Sequence, residues 1–169
     1  MATQDYKGLL DHIYRTANTR GSTISPFLES IDGVEIEEAG YRPGEGVTSI
    51  EEIVAHATGW LEFTLSELTG SPGPENVGWP GFGNSDQDCW DTARHRLHSA
   101  VATMQELLHR LCETELFAQA NGGQATRVER IMNMAIHDAY HAGQIIKIRQ
   151  IYKAQQDAAA KVKAQLAEV

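Results

Sequence analysis

An all-α four-helix bundle is the fold this sequence predicts, and three observations lead to it. Four segments of the 169-residue chain carry apolar residues at helical spacing. Two of those segments open on capping-box patterns. Strand-like alternation is confined to Val34-Glu35-Ile36-Glu37, an extended segment with no obvious partner run. The length suits one domain with one core, and a chain 41% hydrophobic and 22% charged is globular rather than disordered.

The first helix is expected from about Thr3 to Arg20, with Leu9, Leu10, Ile13, Tyr14 and Ala17 on one side. The second begins at Thr48, where Thr-Ser-Ile-Glu reads as a capping box with Glu51 at its third position. Its apolar stripe is Ile50, Ile53, Val54, Ala57, Leu61, Leu65 and Leu68, and Gly70 supplies the stop. The third starts near Ser85 and shows Ala93, Leu97, Val101, Met104, Leu108 and Leu111. The fourth opens at Thr126 on a second box, Thr-Arg-Val-Glu, and continues through Val128, Ile131, Met132, Ala135, Ala139, Ala142 and Ile146. Residues 1–155 are read as the bundle domain, and 156–169 as a helical or frayed tail.

The connections between helices one and two, and two and three, are long. The fourteen residues from Ser71 to Asn84 include Pro72, Pro74 and Pro80. They reach roughly 45 Å when extended, against about 30 Å for a 20-residue helix. The link can therefore return along the bundle and let helices two and three run parallel, in an up-down-down-up order. The 28 residues from Gly21 to Thr48 can also cross over, with Ser25-Pro26 starting a short helical turn through Ile31.

Charge and cysteine content exclude several classes. The formal charge of −9 argues against a phosphate-backbone binder, so no nucleic-acid partner is expected. Most of the excess lies between Glu29 and Glu52, where eight acids meet the single base Arg42, a stretch read as a solvated loop. Cys89 and Cys112 make at most one bridge and no C-x-x-C occurs, which favours a reducing compartment. With no signal-peptide pattern and no run of apolar residues long enough to span a membrane, a cytoplasmic protein without a membrane partner is expected.

The chemistry concentrates in the histidines. His137 and His141 stand at i and i+4, so both rings share one helix face and two nitrogens can converge on one ion. Met134 and Ile148 flank that line, which places the rings in an apolar stripe. His56, aligned with Ile53, Trp60 and Phe63 at the edge of the second helix's stripe, is the third candidate ligand. Helices pack about 8–10 Å apart, close enough for His56 to reach the pair. Trp60 and Gln144 are candidate pocket residues. Trp79 and Phe82, in the Gly-rich run of the long link, are candidates for a flap over the pocket.

The other histidines read as ordinary. His95, His98 and His109 sit on a polar third helix, and His12 lies beside the first stripe, where it could line a pocket. His137-Asp138-Ala139-Tyr140-His141 is a poor match to zinc proteases of the H-E-x-x-H type. Asp138 is a methylene shorter than their glutamate base, and no histidine follows His141. Asp138 is instead a partner of a ligand or a solvent-facing residue.

Thr48-Ser-Ile-Glu-Glu-Ile-Val-Ala-His56 and His137-Asp-Ala-Tyr-His-Ala-Gly-Gln-Ile145 together resemble the motifs of the DinB/YfiT-like metalloenzyme family. The resemblance extends from about Asp5 to Tyr152. It implies an up-down-down-up bundle that often forms homodimers, with a divalent ion (nickel, zinc, manganese or iron) held by His56, His137 and His141. It further implies a thiol-dependent transferase or isomerase using a low-molecular-weight thiol such as bacillithiol or mycothiol on a small-molecule substrate. Three neutral imidazoles leave an ion its full charge and an open position, as catalytic sites do. A thiol or water entering there would lose its proton near neutral pH. No side chain qualifies as an obvious general base. A non-catalytic metal-binding stress-response or interaction protein is therefore the alternative.

Overall fold

The computed structural model describes residues 5–21, 23–75, 77–78 and 86–167. Among them the regular structure is all-α, with no strand. The helices are α1 (Tyr6–Asn18), α2 (Phe27–Ser30), α3 (Ile36–Ala39), α4 (Ile50–Thr69), α5 (Gln87–Arg110), α6 (Glu113–Leu116) and α7 (Arg127–Ala167). α1, α4, α5 and α7 are the four expected from periodicity. They touch in a ring: α1 on α7, α7 on α4, α4 on α5, and α5 on α1. Tyr14, Ile53, Leu61, Trp90, Leu97, Met104 and Ile131 fill the space between them, fully buried. Each large side chain so placed contributes roughly 1.5–3 kcal/mol.

The helix starts follow from side-chain oxygens placed to take up unpaired amides. Asp5 caps α1 by accepting from the Gly8 amide at 2.8 Å, and Asp86 caps α5 through the Cys89 amide at 2.8 Å. Ser85, expected at the third helix's start, lies outside the described residues. The box on α4 is one residue later than the Thr48 register. Ser49 is the N-cap, its hydroxyl taking the Glu52 amide while the Glu52 carboxylate takes the Ser49 amide at 2.9 Å. Ser-Ile-Glu-Glu fits the motif as well as Thr-Ser-Ile-Glu, and burial decides, because this register turns Ile50 fully inward. On α7 the Thr126 box forms as expected, the Thr126 amide reaching Glu129 at 2.7 Å and the Glu129 amide reaching Thr126 at 3.3 Å.

Three further expectations are corrected. Val34–Glu37 forms no strand: only Glu35 is shown extended, as the N-cap from which Ile36–Ala39 closes one helical turn, and no strand lies among the described residues. Leu9 and Met132, assigned to buried stripes, are exposed. The acidic stretch is not simply a solvated loop. Glu38 pairs with Arg149 at 3.0 Å, Arg149 also donates to the Ser30 carbonyl at 3.0 Å, and Glu51 is fully buried. The Trp90 indole N–H donates to the Val34 carbonyl at 3.0 Å, fastening the same segment to α5.

The chain leaves α4 through Gly70, whose left-handed φ of 76° suits glycine, with its amide on the Ser66 carbonyl at 2.8 Å. It then doubles back. Gly73 packs so closely on α4 that a β-carbon there would stand 2.8 Å from Ser66 Cβ. Val77 lies over Gly59, and Gly78 reaches His56. At the other end of the chain α7 continues unbroken to Ala167, exposed at every residue from Lys153 onward. No described helix is long and apolar enough to cross a membrane.

The register of the α4 cap is testable. Ser49→Ala removes the cap and is expected to cost about 1 kcal/mol, a fall in Tm of roughly 2–4 °C by calorimetry. Thr48→Ala, one residue outside the box, is expected to move Tm much less.

Candidate metal centre

His137 and His141 occupy successive turns of α7, and their Nε2 atoms stand 3.1 Å apart. The α4–α7 contact brings the third ring to them. Thr64 meets Met134, Glu67 pairs with Arg130, and on the same face His56 lies with its ring centroid 5.4 Å from His137 and 5.1 Å from His141. One ring nitrogen from each histidine lies within 4.8 Å of the other two. Trp60 flanks the cluster, its ring 6.5 Å from both His56 and His137. Gln144 hydrogen-bonds His141. Trp79 and Phe82 lie outside the described residues. His95, His98 and His109 are exposed and apart from the cluster, and the His109 ring meets Arg15 instead. His12 lines a separate groove between α1 and α7, beside Ile13, Ala17 and Ile136.

The oxygens behind the rings determine their tautomers. A carbonyl oxygen only accepts, so Gln144 Oε1, 2.6 Å from His141 Nδ1, requires the proton on Nδ1 and leaves Nε2 unprotonated. The Gln144 amide is oriented by donating to Tyr140 Oη at 3.1 Å. By the same logic the Gly78 carbonyl, 3.4 Å from His56 Nδ1, places the proton of His56 there. His137 Nδ1 faces Asp138 Oδ1 at 3.5 Å, longer than a formed hydrogen bond but electrostatically matched to Nδ1–H. Burial holds the His141 imidazole down at about 4, with the Gln144 contact opposing and the neighbouring His137 and His56 rings adding to the effect. Burial also lowers His56. Both rings are therefore neutral at pH 7.

These features pass a direct test of fit to a cation. With the His141 proton on Nδ1, its Nε2 is an acceptor that meets His137 Nε2 at 3.1 Å, and a cation taking both lone pairs would replace that contact. Burial keeps the rings of His56 and His141 neutral, the form in which an imidazole offers a lone pair to a metal. Oxygen partners behind the ligating rings are the usual supporting arrangement of such sites.

Sequence reasoning left Asp138 either behind a ligand or facing solvent. The structure buries it at 1% exposure, with neither carboxylate oxygen hydrogen-bonded among the described residues. Burial pushes its pKa up, opposed by His137 and the Asn18 side chain. Tyr14 and Asn18 of α1 are fully buried nearby, and burial with the Asp138 charge raises the Tyr14 hydroxyl well above its ordinary value. The signal for Asp138 was present. It lies three residues after Ala135 and seven after Ile131, on the inward face. Nothing in α1 marked Asn18.

Residues 23–145 match the family model of the DinB superfamily, well over half of the chain. The chain belongs to the DinB superfamily. This DinB-superfamily chain is similar to a solved structure described as a conserved protein from Enterococcus faecalis. The two share 16% identity over 88% of this chain and 98% of that one, with a TM-score of 0.64. That likeness concerns the fold alone. No curated protein matches. The matched residues include all three histidines and Asp138 but not Tyr14 or Asn18.

A pH experiment checks the burial of neutral histidine. Because the folded pKa of His141 is about 4 and its ordinary value is 6.5, the unfolded chain binds the proton first as pH falls. Its contribution to stability is complete above about 6.5 and is lost progressively towards about 4. Raised Asp138 acts in the opposite sense, so the readout is a difference. Chelator-treated protein is expected to lose Tm on acidification through this window more steeply than chelator-treated His141→Gln.

Proposed function

We propose that this DinB-superfamily protein is a divalent-metal-dependent enzyme of the thiol-using transferase or isomerase type, with His56, His137 and His141 as ligands. The observation that carries the reading is the convergence of three imidazoles whose Nδ1 atoms all face oxygens, which assigns Nε2 to the shared centre. When bound, a nickel, zinc, manganese or iron ion supplies a Lewis acid that favours the deprotonated form of a thiol or water. The protein's own side chains do the rest. Gln144 fixes the plane and tautomer of His141, and the Gly78 carbonyl does so for His56. Asp138 orients His137 and balances added positive charge. Trp60 walls the centre and excludes water from one side. Cys89 and Cys112 are both free, exposed and outside the cluster, so a reactive sulfur is supplied by a small thiol.

The same proposal includes the topology and setting. Arg96 pairs with Glu62 and Cys89 lies in the field of Glu51, so α4 and α5 run in the same direction. Glu67 with Arg130, and His56 with His137, set α7 opposite to α4. Lys7 on the His109 carbonyl and Gln105 on Thr19 set α1 opposite to α5. These contacts support an up-down-down-up four-helix bundle, with the segment doubling back along α4 as its crossover. Met132, Ile136 and Tyr140, exposed at i, i+4 and i+8 of α7, support a homodimer face. Two free exposed cysteines suit a reducing cytoplasm.

Protein purified without a histidine tag is expected to hold one divalent ion per chain by elemental analysis. Alanine at His56, His137 or His141 should abolish tight binding, and Asp138→Asn should weaken it about 10–100-fold. Binding that survives the loss of His56 rules out this ligand set. Thiol-dependent consumption of an electrophile, lost in His137→Ala, is the expected activity. Inactivity of metal-loaded protein across a broad thiol and electrophile panel would leave the non-catalytic metal-binding protein as the reading. Light scattering should report a dimer that Ile136→Glu converts to monomer.

A further inference from the structure

From the metal centre a groove continues between α4 and α7, away from His141. It encloses about 210 Å³, with His137 at one end, Trp60, Phe63 and Met134 along the walls, and Glu67, Arg130 and Asn133 at the far end. Arg130 precedes His137 by seven residues on α7, which separates the two ends by about 10 Å. The middle is apolar and the end is polar, so the groove suits an elongated small molecule with a polar tail.

The charge arrangement at the far end selects the tail. Arg130 Nη2 donates to Glu67 Oε1 at 2.7 Å, so the pair carries no net charge. Glu67 Oε2 is buried and accepts no hydrogen bond among the described residues. A guanidinium has five N–H donors, and among the described residues Arg130 spends only those of Nη2 on a partner. A carboxylate tail approaching the guanidinium also meets the Glu67 charge, and an ammonium approaching Glu67 also meets Arg130. A neutral carboxamide satisfies both sides, its carbonyl accepting from Arg130 and its N–H donating to Glu67 or to the Asn133 side chain.

We propose that this groove binds a small amide, with the carboxamide held by Arg130, Glu67 and Asn133 and an apolar chain on Trp60, Phe63 and Met134 leading to a reactive end at His137. Only the identity of that reactive end, a thiol, rests on the function proposed above. A chain of about five methylenes covers most of the span between the two ends.

The test uses the full chain in two arms. In the first, chelator-treated protein is titrated with hexanamide, hexanoate and hexylammonium into the millimolar range expected for such small ligands, and followed by heteronuclear NMR. Hexanamide is expected to shift the Asn133 side-chain and Arg130 Nε–H signals saturably, and to bind about three- to tenfold more tightly than either charged analogue. Arg130→Gln should remove that preference. Asn133→Ala, at an exposed position that does not threaten folding, should weaken hexanamide by a similar factor. In the second arm, cobalt(II)-loaded protein is titrated with the ω-mercapto derivatives of hexanamide and hexanoate, read by the cobalt absorption spectrum, and the same preference is expected. Equal binding of the charged analogues, or no shift at Asn133 and Arg130, overturns the amide site whatever the metal does. A silent cobalt spectrum beside intact hexanamide binding overturns the thiol reading alone.

Discussion

The candidate metal centre depends on where each imidazole holds its Nδ1 proton. Two neighbours on α7 and one distant backbone carbonyl supply the acceptors. Gln144 on α7 faces His141, the backbone carbonyl of Gly78 faces His56, and Asp138 lies behind His137. The first two oxygens fix a ring orientation and leave Nε2 unprotonated in the interior, and the Asp138 charge favours the same tautomer of His137. Without those oxygens the rings would be free to turn, and three nearby histidines would be a coincidence of packing.

Placing these groups in the interior works against stability. A buried carboxylate without hydrogen bonds is unfavourable by on the order of a few kcal/mol, and Asp138 responds with a raised pKa. The imidazole of His141 responds by staying neutral far below its usual titration range. A cation at the shared nitrogens would relieve both strains at once, stabilising the carboxylate behind His137 and the lone pairs in front of it. The surrounding core, from Tyr14 and Leu61 to Trp90 and Ile131, offsets the cost and keeps the rings aligned.

Much of this was legible before any coordinates. Apolar spacing identified the four long helices, because helix formation with a buried face is a local pattern repeated every three to four residues. The i,i+4 pair of His137 and His141 was legible for the same reason. The one-residue error at Ser49 arose because overlapping boxes satisfy the same motif, and only the burial of Ile50 separates them. The extended reading of Val34–Glu37 failed because alternation over four residues is shared by strands and by turns folded onto a core. Glu38 looked like a loop charge and Glu51 like the exposed glutamate of a capping box, since nothing local reveals that Glu51 enters the interior or that Arg149 waits 111 residues away from Glu38.

By itself the sequence determined the four long helical segments, the Thr126 capping box, the shared face of His137 and His141, and membership in a family whose motifs surround them. Those properties depend on residues within a turn or two of each other. The helix face of His56 also proposed it as the third ring, which the packing of α4 on α7 brings to the pair. Tertiary structure alone decided that the segment after α4 doubles back to offer the Gly78 carbonyl, and that α1 lays Tyr14 and Asn18 beside Asp138. It also decided that Arg130 and Glu67 close one end of a groove that begins at His137. The physical reason is distance along the chain. Desolvation, charge compensation and the acceptor for His56 come from segments brought together only when the helices pack.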